Sequence, residues 1–289
     1  SAFARRYRHI KGVYMSSLAA LALAGAGACA RAGGGRALGP RLHVPQPLAA
    51  GCGVGLPEAQ RHYLFSVMRL REGGRARLFN ADDGEFEAVV DAIGKRECRV
   101  SLLSRLRPPP APEEGGGPTL LFGVLKGARL PTLVEKATEL GAGALQPVLC
   151  ERCAARSLNL DRLSAIATEA AEQSGRLTVP VLSPPLRLEA ALAEWDASRP
   201  LWACDERGGG TPLARAAREA GSGALRSAGL LVGPEGGFSA AEFEAVAATP
   251  GVAFVSLGSN ILRAETAALA ALAVVKAEEE AMGGERAGT

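Results

Sequence analysis

With 289 residues, 47% of them apolar and only 4% aromatic, the chain can build one large or two ordinary domains, packed mainly by Ala, Leu and Val. A net charge of +3 excludes polyanion binding on global charge alone, so a nucleic-acid role would need a local basic patch. Six cysteines spread over the whole length exclude a disulfide scaffold and make a reducing compartment the default.

Six of the 33 Lys and Arg residues (Arg5, Arg6, Arg8, Lys11, Arg31, Arg36) fall in residues 1–40, which hold no Asp or Glu; the remainder carries 27 basic against 30 acidic groups. This Arg- and Ala-rich opening reads as a transit-like segment for a chloroplast or mitochondrion. The rivals are an extension on a cytoplasmic protein and a secretory signal. The apolar stretch 18–30 is too short and too rich in glycine to span a bilayer, so no membrane partner is expected.

Residues 41–107 alternate short β-like runs with turns. Arg75–Phe79 leads into Asn80-Ala81-Asp82-Asp83-Gly84, whose Asp-Gly pair signals a hairpin, and then into Glu85–Val90; Cys98–Leu103 is a further strand. Pro57–Leu70 has helical spacing with Leu64, Val67 and Met68 on one face. A small β-barrel with one helix is expected. Arg69, Arg71, Arg75 and Arg77 form a candidate basic ridge, against the plainer reading of a solvated charged face. The run Pro108–Pro118 is a Pro/Gly linker.

Residues 119–289 switch to strand, helix, strand, helix. The strands are Leu120–Leu125, Leu145–Leu149, Val179–Leu182, Leu201–Cys204, Leu230–Val232 and Val255–Leu257. Between them lie helices Pro131–Leu140, Asp161–Ser174 (capped by Asp161 or Asn159 and stopped by Gly175), Leu188–Trp195 and Pro212–Ala220. A long last helix, Ile261–Ala281, ends in a frayed acidic tip, Glu278-Glu279-Glu280. This alternation is that of an α/β domain with a parallel sheet covered on both faces. Trp195 and Trp202 read as packing residues.

Two strand-to-helix turns near the carboxyl terminus carry glycine: Gly233-Pro234-Glu235-Gly236-Gly237-Phe238-Ser239 and Leu257-Gly258-Ser259-Asn260-Ile261-Leu262-Arg263. Glycine lets backbone approach a ligand, and such turns lie where α/β sheets bind ligands. Strand and helix ends would bring Lys126, Arg129, Gln173, Arg176 and Arg263 toward the mouth of this backbone-lined pocket. Cys150-Glu151-Arg152-Cys153 spells a C-x-x-C, but no second pair and no neighbouring histidine completes a zinc set; no metal is expected, and a redox role would want the motif at a helix start with a depressed thiol pKa. No G-x-G-x-x-G follows the first strand of this domain and no P-loop occurs, against a nucleotide-dependent oxidoreductase.

The ordered motifs Lys126-Gly127, Glu135-Lys136-Ala137-Thr138-Glu139-Leu140-Gly141, Glu169-Ala170-Ala171-Glu172-Gln173-Ser174-Gly175-Arg176, Gly233–Phe238 and Leu257–Ala267 resemble those of the RsmE family, small-subunit 16S-type ribosomal RNA uridine-N3 methyltransferases of the SPOUT class. The resemblance covers about residues 41–281. It implies an N-terminal PUA-like β-barrel, a C-terminal SPOUT α/β domain with a trefoil knot, a homodimer and S-adenosyl-L-methionine as cofactor. It implies cofactor contacts from Gly233, Pro234, Glu235, Gly236, Leu257, Gly258, Ile261, Leu262 and Thr266, with Gly236 small so that the pocket stays open.

Arg263 is the candidate for stabilising charge on the uracil, and Glu265 for orienting Arg263 or fastening the helix start. Arg69, Arg71, Lys126, Arg129, Gln173 and Arg176 are the candidate RNA contacts. Arg41-Leu42-His43-Val44 opens the barrel where this family usually shows an aromatic. A ribose 2′-O-methylating relative and a non-catalytic ribosome-assembly factor are the alternatives; the first lacks its Ser-Leu-Asn type final turn here, and the second has no use for Gly233, Gly236 and Gly258.

Overall fold

The fold is that of a computed structural model, which describes residues 39–94, 96–111, 116–154, 157–205, 207 and 209–286. The transit-like reading of residues 1–40 falls almost wholly outside the described residues, as do positions 112–115 of the linker. The described chain forms two compact units, one of residues 39–111 with 171–178 and one of 116–170 with 179–286.

In the first unit, strands β1 (Arg41–His43), β2 (Gly53–Gly55), β3 (Arg75–Asn80), β4 (Gly84–Ile93) and β5 (Cys98–Arg107) lie in the order β1-β3-β4-β5-β2. β1 runs parallel to β3; the other pairs are antiparallel. The expected Asn80–Gly84 hairpin closes because the Asn80 side chain accepts from the amides of Asp82 and Asp83, at 3.1 and 2.6 Å. Leu42, Val44, Leu64, Leu78, Phe86, Val90, Val100 and Leu102 fill the core.

The helix expected over Pro57–Leu70 is shorter and changes pitch. It is α-helical only over α1 (Glu58–His62) and continues as a π-turn, Tyr63–Val67, in which the Met68 amide donates to the Tyr63 carbonyl at 2.9 Å. The wider turn breaks the 3.6-residue period. Leu64 is buried, while Val67 and Met68 rotate outward to 47% and 44% exposure.

Arg41 is buried rather than presented. Its guanidinium lies 3.5 Å from the Phe79 ring centre and pairs with Glu85 at 3.1 Å. It also donates to the carbonyls of Ala171 and Arg176 within the same unit. The cation therefore fills an aromatic-like role in the core, stacked on one ring and fully hydrogen-bonded.

The second unit is a parallel eight-stranded sheet. It comprises β6 (Thr119–Gly123), β7 (Ala144–Leu149), β8 (Val181–Leu182), β9 (Leu186–Arg187), β10 (Leu201–Cys204), β11 (Thr211–Pro212), β12 (Gly229–Val232) and β13 (Val252–Ser256). The order is β11-β13-β10-β12-β6-β7-β8, with β9 also on β7. Helices α2 (Arg129–Glu139), α3 (Leu160–Ser174), α4 (Leu188–Ala193), α5 (Leu213–Ala220), α6 (Ser222–Ser227), α7 (Ala240–Ala248) and α8 (Ala264–Arg286) connect and cover it.

Strand alternation makes two cores. Leu120, Phe122, Trp202, Leu230 and Val232 face the cluster that includes Leu133, Ala217 and Leu272. Leu121, Leu201, Ala203 and Leu231 face the cluster of Leu188, Trp195 and Val246. Asn159, of the two expected caps, accepts from the Arg162 amide at 2.9 Å.

Helix α8 begins at Ala264, three residues later than the periodicity suggests, which leaves 257–263 non-helical. Its acidic end is docked rather than frayed: Glu278 takes two hydrogen bonds from Arg218, both at 2.8 Å, and Glu279 pairs with Arg226. Among the described residues, no helix is long and apolar enough to cross a membrane, and no group of three or more His, Cys, Asp or Glu is placed to hold a metal ion.

Candidate active site

Strands β13, β10 and β12 are neighbours and parallel, so their carboxyl ends open on one edge of the sheet, where α/β folds bind ligands. The residues that follow them line a cavity of about 850 Å³, within the range of small-molecule sites. After β12 come Gly233, Pro234, Glu235, Gly237 and Phe238; after β13, Leu257, Gly258, Ser259, Asn260, Ile261, Leu262 and Arg263. The residues at the end of β10, Cys204, Asp205 and Arg207, complete the wall with Phe243.

Two glycines make this geometry possible. Gly258 has φ +119°, backbone that side-chain-bearing residues rarely adopt. Gly123, the last residue of β6, allows the first turn to rest on the sheet: a β-carbon there would lie 2.4 Å from the Pro234 nitrogen.

The charged groups divide into committed and free. Glu235 accepts from the Lys126 amide at 3.1 Å and pairs with Arg129 at 3.3 Å. The Arg129 Nε also approaches Glu265, at 3.6 Å. Arg129 thus ties the first turn to the start of α8, and of the two roles expected of Glu265 the orienting of Arg263 gives way to a pairing with Arg129. The other oxygen of Glu265 is buried without a hydrogen-bond partner. Arg263 lines the cavity and is exposed; its carbonyl accepts from the Ala267 amide at 2.8 Å, while its guanidinium has no hydrogen bond or ion pair among the described residues. Arg207, also on the lining, packs 3.2 Å from the Phe243 ring centre and pairs with Asp205 at 3.0 Å. Burial pushes the Cys204 thiol up to about 12, so it lines the cavity as an inert, neutral group.

Several sequence-based assignments move. Gly236 does not line the cavity: a β-carbon there would point at the Arg152 side chain, 2.9 Å from its Cβ. Its smallness serves loop packing, not an open pocket. Thr266 is exposed on the first turn of α8 and is also off the lining. Of the expected RNA contacts, Lys126 is exposed and Arg129 is spent on the two carboxylates.

Gln173 and Arg176 belong to the barrel unit. Gln173 is exposed, but the Arg176 guanidinium is largely buried, its pKa lowered to about 10 by desolvation, and it donates to Thr178 at 3.0 Å. On the barrel, Arg69 and Arg71 are exposed. Arg75 and Arg77 pair with Glu87 and Glu85, so the four-arginine ridge reduces to its first half. Cys204, Asp205, Arg207 and Phe243 were missed altogether, because only the sheet order brings β10 between the two glycine turns.

A backbone-lined cleft on a parallel sheet, in a chain that opens with a small β-rich unit, is the arrangement that two family matches assign to RNA methyltransferases. Residues 117–276 match the family described as RNA methyltransferase domain, and residues 56–103 match the RNA methyltransferase PUA domain. The chain is 33% identical over 237 residues to the ribosomal RNA small subunit methyltransferase E of Rickettsia conorii, covering 82% of this chain and 94% of that protein. It is 33% identical over 228 residues to the enzyme of the same name from Synechocystis, covering 78% and 73%.

Among solved structures, the ribosomal RNA small subunit methyltransferase E of Neisseria gonorrhoeae, bound to S-adenosyl methionine, superposes with a TM-score of 0.72 at 29% identity, over 82% of this chain and 97% of that one. A methyltransferase from Legionella pneumophila, also with bound cofactor, gives 0.69 at 27% identity, over 82% and 96%. The chain belongs to the ribosomal RNA small subunit methyltransferase E family.

Proposed function

We propose that this chain transfers a methyl group from S-adenosyl-L-methionine to N3 of a uridine in small-subunit ribosomal RNA. The carrying observation is the pair of main-chain-rich turns that line one cavity beside an unpaired arginine. The lining suits the cofactor: main chain at Gly233, Leu257, Gly258 and Leu262 borders the cavity, as the edge of an adenosine requires. When bound, the cofactor supplies an electrophilic methyl on a sulfonium.

The chain's own residues supply the rest. Uridine N3 carries a weakly acidic proton, and its loss leaves negative charge on the flanking carbonyls. Arg263, free at the rim, stabilises that charge. Arg129, tied to Glu235 and Glu265, fixes the spacing of the two turns. Lys126, Arg69, Arg71 and Gln173 are the exposed groups available to RNA phosphates and bases, and a stacked uridine is swung out to reach the cleft.

The same reading carries a homodimer and a trefoil knot. Ile261, 81% exposed at the cleft, supports the first as an aliphatic group that a second copy would cover. The out-of-sequence strand order β13-β10-β12-β6 supports the second. The acid-free composition of residues 1–40 supports delivery to a chloroplast or mitochondrion, which import of a fluorescent fusion tests. For the activity, Arg263→Ala should bind the cofactor nearly as wild type in calorimetry and lose turnover on small-subunit RNA. A wild-type methylation rate in that variant, or mass mapping that places the new methyl on a ribose, would overturn the assignment.

A further inference from the structure

The C-x-x-C has no part in the methyl transfer just described, yet it sits against the first turn of the cleft. Cys150 follows β7 directly, and the Cys153 amide donates to the Cys150 carbonyl at 3.2 Å. That bond closes a β-turn, whose end Cα atoms lie within about 7 Å, a span comparable to the roughly 4.4–6.8 Å of disulfides. The two residues are also bonded through sulfur: the Cys150 amide donates to Cys153 Sγ at 3.3 Å. Cys150 is 4% exposed and Cys153 half-buried, so an incoming reagent meets Cys153 first.

The two middle residues of the motif hold the first turn. The Glu151 amide donates to Glu242 at 2.7 Å. Glu242 in turn accepts from the Ser239 amide at 2.9 Å and closes the capping box that starts α7. Arg152 donates to the Gly236 carbonyl at 3.1 Å and packs against Gly236. Ser239, beside these bonds, lines the cavity.

We propose that Cys150 and Cys153 are a reversible redox modification site, oxidised by small-molecule disulfides to an intramolecular disulfide that loosens the first turn of the cleft. The Cys153 thiolate attacks one sulfur of the reagent, breaks its S–S bond and expels one thiolate. Cys150 then gives up its proton to solvent, attacks the Cys153 sulfur and expels the second thiolate. Two protein thiols are oxidised, and the reagent is reduced to two thiols.

The local chemistry favours that order. The hydrogen bond from the Cys150 thiol, and after it the backbone amides of Cys150 and Val124, hold the Cys153 thiol below its ordinary range despite burial. The same sulfur contact and then burial push Cys150 up, and Glu242 and Glu189 act in that direction too. Bringing the sulfurs to about 2.05 Å tightens the turn and drags Glu151 and Arg152 from their partners. The dithiol stands on its own geometry; its effect on the methyl donor rests on the reading of the cleft given above.

The test uses the full chain, treated with oxidised glutathione and then with dithiothreitol. Peptide mapping should show one peptide carrying Cys150 and Cys153 lighter by two hydrogens. S-adenosyl-L-methionine affinity by calorimetry should fall about tenfold, as for loss of one charge-assisted hydrogen bond, and return on reduction. Cys153→Ser should abolish both changes, which separates them from modification of Cys52 or Cys204. Cys150→Ser should stop at a mixed disulfide on Cys153. A persistent glutathione adduct in the wild type overturns the site. A formed bridge with unchanged donor affinity overturns the coupling. A chain that binds no donor even when reduced refutes the cleft reading, while the mass result still judges the dithiol.

Discussion

Replacing Gly123 by alanine is predicted to act on the cleft from behind. The new β-carbon would lie 2.4 Å from the Pro234 nitrogen and 2.7 Å from its Cα and Cδ. Ordinary contact begins at 3.4 Å, so something must give by about 1 Å. The strand cannot easily do so: β6 is held on both sides, by β12 and β7, with Gly123 in register with Val148. The turn at 233–237 must move instead, which changes its spacing from Leu257–Leu262 across the cleft.

Overpacking of this kind costs about 1–3 kcal/mol, at roughly 2–4 °C of melting temperature per kcal/mol in a chain of this size. Displacement by about 1 Å should break one or two main-chain hydrogen bonds to the cofactor, each contributing about 1 kcal/mol net; affinity should fall about tenfold. Calorimetric titration with S-adenosyl-L-methionine and a thermal melt of the same sample read both quantities. An alanine variant with wild-type affinity and melting temperature would show that the turn does not rest on β6.

Arg129 and Lys126 should separate by phenotype. Arg129→Gln releases Glu235 and Glu265 and is predicted to weaken cofactor binding several-fold, whereas Lys126→Ala should leave calorimetric affinity unchanged and weaken RNA binding in a filter assay; the opposite pattern would return Arg129 to the RNA surface. His43 gives a pH signature. Its pKa is lowered to about 4, first by burial and then by Arg41, against about 6.5 unfolded. Between those values the unfolded chain takes up a proton that the fold refuses, so stability should fall as pH drops from about 6.5 toward 4 and level off below. His43→Gln should flatten that part of the urea-midpoint profile; parallel wild-type and variant profiles would show that His43 is not the group.

What could be read before the fold was known follows from which contacts are local. Strand Leu201–Cys204 is found where its apolar run lies, and Gly233, Gly237 and Gly258 of the two terminal turns mark the cavity because backbone conformation is a local property. The π-turn at Tyr63–Val67 was not legible, since nothing in that run distinguishes it from an α-helix until tertiary packing decides. Sequence alone points Arg129 toward RNA because its partners, Glu235 and Glu265, lie 106 and 136 positions away. Arg41 runs against the rule that arginine stays outside; only Phe79, Glu85 and the carbonyls of Ala171 and Arg176 make its burial tolerable. Pairing across the sequence is what composition cannot express.

The segment 171–178, which shares a compact unit with residues 39–111, bears on how this protein can be dissected. A gene fragment ending at the proline run would encode a barrel lacking the acceptors that Ala171 and Arg176 offer to Arg41, and the Glu172 carboxylate that receives the His43 amide at 2.9 Å. Such a fragment would carry into its own interior a guanidinium stripped of three of its four acceptors, the carbonyls of Ala171, Glu172 and Arg176. Splicing a foreign barrel onto the linker leaves the complementary gap, bare carbonyls waiting for a donor. Modules in this molecule are therefore discontinuous, and recombination that respects only the linker would split one of them.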